Sequence, residues 1–246
     1  MFKRIAQTAG FSGLLAAVLL TLLQSFWVTP IILQAETYEN SPATAPVAEH
    51  GHEASQAAVH EHAHETAEAA PPHVHDSEAW APQDGWQRSL STGLSNLVVA
   101  IGFALMLAGL FTLRAPSKTW QGLVWGFAGF ATFCLAPAAG LPPEVPGTAA
   151  ADLLQRQSWW IGTALATATG LGLLAFAKHW TLRVAAVVLL AIPHLIGAPQ
   201  PEVHSSLAPE ALAQQFVIAS LLTNALFWAA LGLASAWFFS RSQQSA

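Results

Sequence analysis

Charge is what this chain has least of: 9% of its 246 residues are Asp, Glu, Lys or Arg, where a soluble domain carries about 25%. The scarcity lies between the first and last of several apolar runs near the length that crosses a bilayer, so an aqueous globular core does not account for it. There is one cysteine, Cys134, inside an apolar run, which excludes a disulfide framework or a thiolate metal site within one chain. No Gly-Lys pair occurs, so a Walker-type phosphate loop is absent and ATP hydrolysis by this chain is not expected. No nucleophile stands beside a base, so no catalytic residue is assigned. Neither an enzyme, an organic cofactor nor a nucleic-acid partner is expected.

Histidine, by contrast, is clustered. His50, His52, His60, His62, His64, His73 and His75 fall among glutamates between Glu49 and His75, seven of ten in the chain. The His-x-His spacing puts each pair on one side of an extended backbone, and a helix would align His60 with His64. Neutral imidazole and carboxylate are ligands that divalent transition metals accept, so this composition suits a metal-collecting arm. Being rich in Ala and Pro, it equally suits a disordered linker with weak, unselective metal affinity. The arm's location bears on which of the two it is.

Lys3 and Arg4 precede an apolar run from about Ile5 to Leu33. The run is longer than a signal-peptide core and its exit has no small-x-small cleavage site, so it reads as an anchoring helix. A polar arm follows, ending in Trp80 and Trp86 around a Pro and an Asp84-Gly85 turn, a segment returning to the membrane interface. Further spans are expected at about Thr92 to Leu113, Thr119 to Pro137, Ser158 to Ala177, Leu182 to Ala198 and Gln215 to Phe239.

The expected fold is therefore all-α, a polytopic helical membrane protein of six transmembrane helices. Residues 1–33 form the first span, 34–91 a largely disordered His/Glu-rich extracytoplasmic loop, 92–239 the bundle and 240–246 a cytoplasmic tail. Five spans are the alternative, if the short Pro193-containing stretch fails to cross. With six and the N-terminus in the cytoplasm, Lys3, Arg4, Arg114, Lys118, Lys178, Arg183 and Arg241 lie inside, only Arg88 and Arg156 lie outside, and all fourteen acids lie outside. In a bacterium this is the inner membrane, with the histidine arm in the periplasm.

Two outer connections echo each other. At an offset of 58 residues, Pro143, Glu144 and Val145 match Pro201, Glu202 and Val203, and Asp152, Leu154 and Gln157 match Glu210, Leu212 and Gln215. This suggests a parallel hairpin repeat, although Pro-rich turns also resemble one another by composition. Gly122 and Gly126 form a small-xxx-small pattern that lets a neighbouring helix approach.

The predicted spans contain no Asp or Glu, which argues against a buried carboxylate relay. The candidate metal-handling residues outside the arm are Glu144, Glu202, His204 and His194. His194 follows Pro193, whose missing N–H frees a carbonyl in the preceding turn; the plainer alternative is a histidine at the interface bonded to a neighbouring helix. Asn96, Asn224 and Gln24 read as interhelical hydrogen-bond partners. One functional expectation is a membrane subunit for uptake of a divalent transition metal, with capture by the arm. The other is a non-conducting metal-binding or assembly subunit that scaffolds or feeds a separate permease.

The histidine arm, Trp80-Ala-Pro82-Gln-Asp84-Gly85, Gly140-Leu-Pro142-Pro143-Glu144-Val-Pro146-Gly147, Arg156-Gln-Ser-Trp159-Trp160 and Leu190-Ala-Ile-Pro193-His194-Leu-Ile-Gly197 together resemble the CbtA family over nearly the whole chain. That resemblance implies a predicted cobalt transporter subunit tied to cobalamin biosynthesis. It also implies cobalt ion as the transported ligand and a small single-span histidine-rich partner, CbtB. The family is described with five spans, whereas the charge pattern here favours six.

Overall fold

A computed structural model describes residues 2–40, 82, 83 and 85–244. Among them the regular elements are all helical, and six helices carry the fold: α1 (Phe2–Glu39), α2 (Trp86–Leu113), α3 (Gln121–Ala138), α4 (Leu153–Phe176), α5 (Trp180–Ile196) and α6 (Glu210–Gln244). The seven arm histidines lie outside the described residues.

Proline shapes two of these helices without ending them. Pro30 in α1 and Pro137 in α3 lack the N–H that would complete the ladder. Each is preceded by a π-helical turn, Gln24–Val28 and Ala131–Leu135, closed by Thr29 N–H to the Gln24 carbonyl and by Ala136 N–H to the Ala131 carbonyl. The widened turn adds one residue and lets the helix continue past the proline.

The core is built from small residues and rings. α1 and α2 meet through Ala9, Ala16, Ala17, Ala100 and Ala104, all buried, the kind of close backbone approach that drives helix association in lipid. α6 packs on α1, α2 and α3. A side chain at Gly122 would collide with the Gly232 carbonyl, and one at Gly126 with the Trp228 carbonyl, so the expected close approach is made by α3 on α6. Trp228 stacks on Phe133, ring centroids 5.7 Å apart. Buried polar groups pair across helices: Asn96 donates to Thr21 Oγ1 at 3.0 Å and to Gln24 Oε1 at 2.7 Å, and Ser235 donates to Ser12 at 3.1 Å. Asn224 instead bonds the Ser220 carbonyl of its own helix.

The bundle has two unlike ends. At one, Arg4 stacks on Phe239, Arg114 Nη1 donates to the Ala175 carbonyl at 3.0 Å, and Arg183 Nε donates to the Ala177 carbonyl at 3.3 Å. Arg4 near the N-terminus and Phe239 near the C-terminus thus share this basic end. At the other end stand all the described acids. Its two cations are each neutralised: Arg88 forms a two-point ion pair with Glu36, one contact being 3.1 Å, and Arg156 pairs with Glu144 at 2.8 Å.

α5 decides the number of passes. Five helices are long and apolar enough to cross a membrane, while α5 has 17 residues, about 25 Å of helix. It starts beside the end of α4 and finishes beside the beginning of α4, where Trp159 Nε1 donates to the Pro193 carbonyl at 3.3 Å. It therefore runs from the basic end to the acidic end, antiparallel to α4, but is shorter than the five helices long enough to cross. The helices also outrun the apolar stretches at the acidic end: α1 reaches Glu39, α2 begins at Trp86 and α6 at Glu210, because the ladder continues through polar residues once packing has fixed the helix.

Candidate functional site

At the acidic end two Pro-rich turns face each other, 139–152 between α3 and α4, and 197–209 between α5 and α6. Each uses a glycine in the left-handed region, Gly147 at φ 75° and Gly197 at φ 85°. They join in a short antiparallel bridge: Ala149 N–H donates to the Ser205 carbonyl at 2.9 Å and Leu207 N–H to the Gly147 carbonyl at 3.2 Å. The Thr148 and Ser206 hydroxyls between them are 3.3 Å apart, 58 residues apart in sequence. That offset carries 149 to 207 and 147 to 205, so it turns one of the two backbone bonds into the other. Gly140 and Ala198, also 58 apart in the chain, touch as well: a Cβ on Gly140 would lie 2.9 Å from that of Ala198.

A cavity of about 680 Å³ opens between the turns. Glu144 sits on its wall, held by Arg156; the two side chains are 28% and 29% exposed, so the pair is partly shielded from water. Asp152 Oδ1 caps α4 by accepting from Gln155 N–H at 3.0 Å. His204 lies 3.3 Å from Gln200 Oε1 through Nε2, and Gln214 donates to Glu210 Oε1 at 3.0 Å. Val145 and Ala208 on its wall form one buried cluster with Ala35 and Leu212, which packs α1 against both turns and the start of α6. The end of α1 thereby lies next to the cavity.

The model of the CbtA family, described as a probable cobalt transporter subunit, matches residues 2–240. This chain belongs to the CbtA family. No curated protein and no solved structure matches it. Membership makes it a membrane protein with a metal ion as its substrate, cobalt being the one that the family's description prints.

For a CbtA-family chain the candidate residues sort as follows. His50, His52, His60, His62, His64, His73 and His75 fall outside the described residues. Glu144 and His204 line the same cavity, whereas Glu202 and His194 do not. His194 is exposed and meets the Trp159 ring edge-on, centroids 6.3 Å apart, as the plainer reading of an interfacial histidine has it. Among the described residues no group of three or more His, Cys, Asp or Glu side chains stands close enough to hold a metal ion. A cation arriving at this mouth would meet scattered carboxylates and amides. Arg156, Gln200, Glu210 and Gln214 were not among the candidates. Carrying the 58-residue offset on to Arg156 would have reached Gln214 and shown the one place where 139–157 and 197–215 differ in formal charge.

Proposed function

We propose that the chain admits a divalent transition-metal cation, cobalt foremost, across the bacterial inner membrane, with its histidine arm collecting the ion outside and the cavity between the turns receiving it. The observation that carries this reading is the anchoring of the arm. The chain leaves α1 at Glu39 and re-enters α2 at Trp86, and Glu36 and Arg88 tie those two helix ends together. Ala35, one residue before that ion pair, packs against the cavity's own walls. The arm is therefore tethered at the mouth, on the side where the described carboxylates gather. The positive-inside rule assigns the opposite, basic end to the cytoplasm.

A membrane potential of about −100 mV favours inward movement of a divalent ion by roughly 4.6 kcal/mol, at about 2.3 per charge, which suffices as a driving force without ATP. Imidazole and carboxylate bind Ni²⁺ and Cu²⁺ more tightly than Co²⁺, so choice of cobalt falls to supply or to a partner, such as a small single-span histidine-rich CbtB-like subunit.

The two turns act as copies of one hairpin. In support, α3 pairs with α6 and α4 with α5, so each hairpin packs on the other. Self-equivalent pairs meet where a two-fold axis along the membrane normal would pass. The mouth then lies on that axis.

One feature favours the second reading, a non-conducting scaffold or feeder. The described interior polar groups, Asn96 and several Ser and Thr, are already bonded to one another or hold no charge. Uptake of radioactive cobalt by proteoliposomes, with the chain alone and with a small histidine-rich subunit, separates the two: a scaffold gives no flux in either. Deleting 49–75 is expected to lower uptake at limiting cobalt and leave it near normal at high cobalt. Loss at every concentration would place the arm in the permeation path and overturn its role as a collector.

A further inference from the structure

The basic end holds a second cavity, of about 970 Å³, between α1, α2 and α6. Its polar lining includes Lys3, Arg4, Thr8 and Arg241, and its apolar wall includes Phe11 and Phe238. No acid lines it. Arg4 Nε and Nη2 are shielded from water and have no hydrogen-bond partner among the described residues, and neither does the Thr8 hydroxyl, although Thr8 is 1% exposed. Residues 4 and 8 are one turn apart on α1, so these three unmet groups fall on one face of the helix. Buried donors without an acceptor are costly, and an unseen anion is one of the few things that explains them.

We infer that this cavity binds the phosphodiester headgroup of an anionic phospholipid, with Arg4 and Thr8 as its inner contacts and Lys3 and Arg241 at its rim. A lipid fits better than free phosphate because of the walls. Phe11 and Phe238 stack with centroids 5.4 Å apart, and Phe11 is 58% exposed. The cavity thus opens sideways onto the surface that faces hydrocarbon, where acyl chains lie alongside the rings. Basic pockets between helix ends are where acidic headgroups are held in other membrane proteins. The site is at the far end from the mouth and does not depend on what the mouth transports.

The test uses the full chain in mild detergent and native mass spectrometry after exchange into phosphatidylglycerol or phosphatidylcholine. The expected result is one phosphatidylglycerol retained and no phosphatidylcholine, with retention falling about fivefold in Arg4→Gln, the worth of one cation near an acidic headgroup. Thr8→Val, which keeps the shape, is expected to weaken retention by a smaller factor and decides the matter if Arg4→Gln does not fold. Arg183→Gln, at the same end but away from the cavity, is expected to change nothing. Equal retention of both lipids, an equal loss in Arg183→Gln, full retention in Thr8→Val, or displacement of the lipid by millimolar inorganic phosphate would overturn the assignment.

Discussion

The two turns at the mouth carry the same glutamate in two electrical states. In the first, Glu144 is bound by Arg156 at 2.8 Å. In the second, the residue 58 positions after Arg156 is Gln214, which donates to Glu210 instead. Glu202, the counterpart of Glu144, is exposed and pairs with no described cation. Counting acids therefore misjudges the mouth. We propose that an incoming cation is met first by the carboxylate that lacks its own counter-charge, Glu202 outside the cavity, with His204 two residues further on at the cavity wall.

The largest effect is expected where the two hairpins interlock. Gly126→Leu would drive a side chain into the Trp228 backbone, and overpacking of this kind costs on the order of 1–3 kcal/mol. Gly162 in α4 has nothing within 4 Å, so Gly162→Leu is expected to be tolerated. Thermal unfolding followed by size-exclusion chromatography compares them; equal stability of the two variants would mean that the α3–α6 contact does not hold the hairpins together.

Charge swaps between the turns come next. Gln214→Arg sets a cation beside Glu210 on the cavity wall of the second turn and is expected to reduce uptake at limiting cobalt two- to fivefold, the effect of on the order of 0.5–1 kcal/mol. Arg156→Gln releases Glu144 and is expected to raise it by a similar factor. Uptake that moves in the same direction in both variants would erase the distinction between the turns. Removing the carboxylates sharpens it: Glu202→Gln is expected to lower initial uptake more than Glu144→Gln, and the reverse order would shift the receiving role to the first turn. The smallest effect is reserved for His194→Phe. An edge-on contact with Trp159 survives that change, so stability is expected to move by less than about 0.5 kcal/mol and uptake by less than twofold; a large loss of uptake would return His194 to the metal path.

Much of this was legible in the sequence because lipid imposes a one-letter rule, apolar or not, on each span. The sorting of Lys3, Arg4, Arg114, Lys118, Lys178, Arg183 and Arg241 from the acids predicts six passes, whereas five helices are long and apolar enough to cross and the sixth, α5, has 17 residues. Asn96 and Gln24 were readable as partners because an amide in a span must find one. Asn224 was misplaced for the same reason: its own helix offers a carbonyl four residues back, and nothing in the sequence shows which of the two it takes. The Glu144–Arg156 pair was hidden because it closes across a Pro-rich turn whose path depends on Gly147 and on the bridge to Ser205 and Leu207.

The π-turn in α1 bears on how one helix serves both ends. Gly13 and Leu20 are buried seven apart, and so are Val28 and Ala35, yet eight residues separate Leu20 from Val28. One extra residue turns the downstream half by about 100°. The first half can thus keep its small side chains against Ala100 and Ala104 while the second presents Ala35 to Val145 and Leu212. Without that phase slip, a single regular helix would aim Gln34 where Ala35 now sits, setting an amide against the hydrophobic floor beneath the turns.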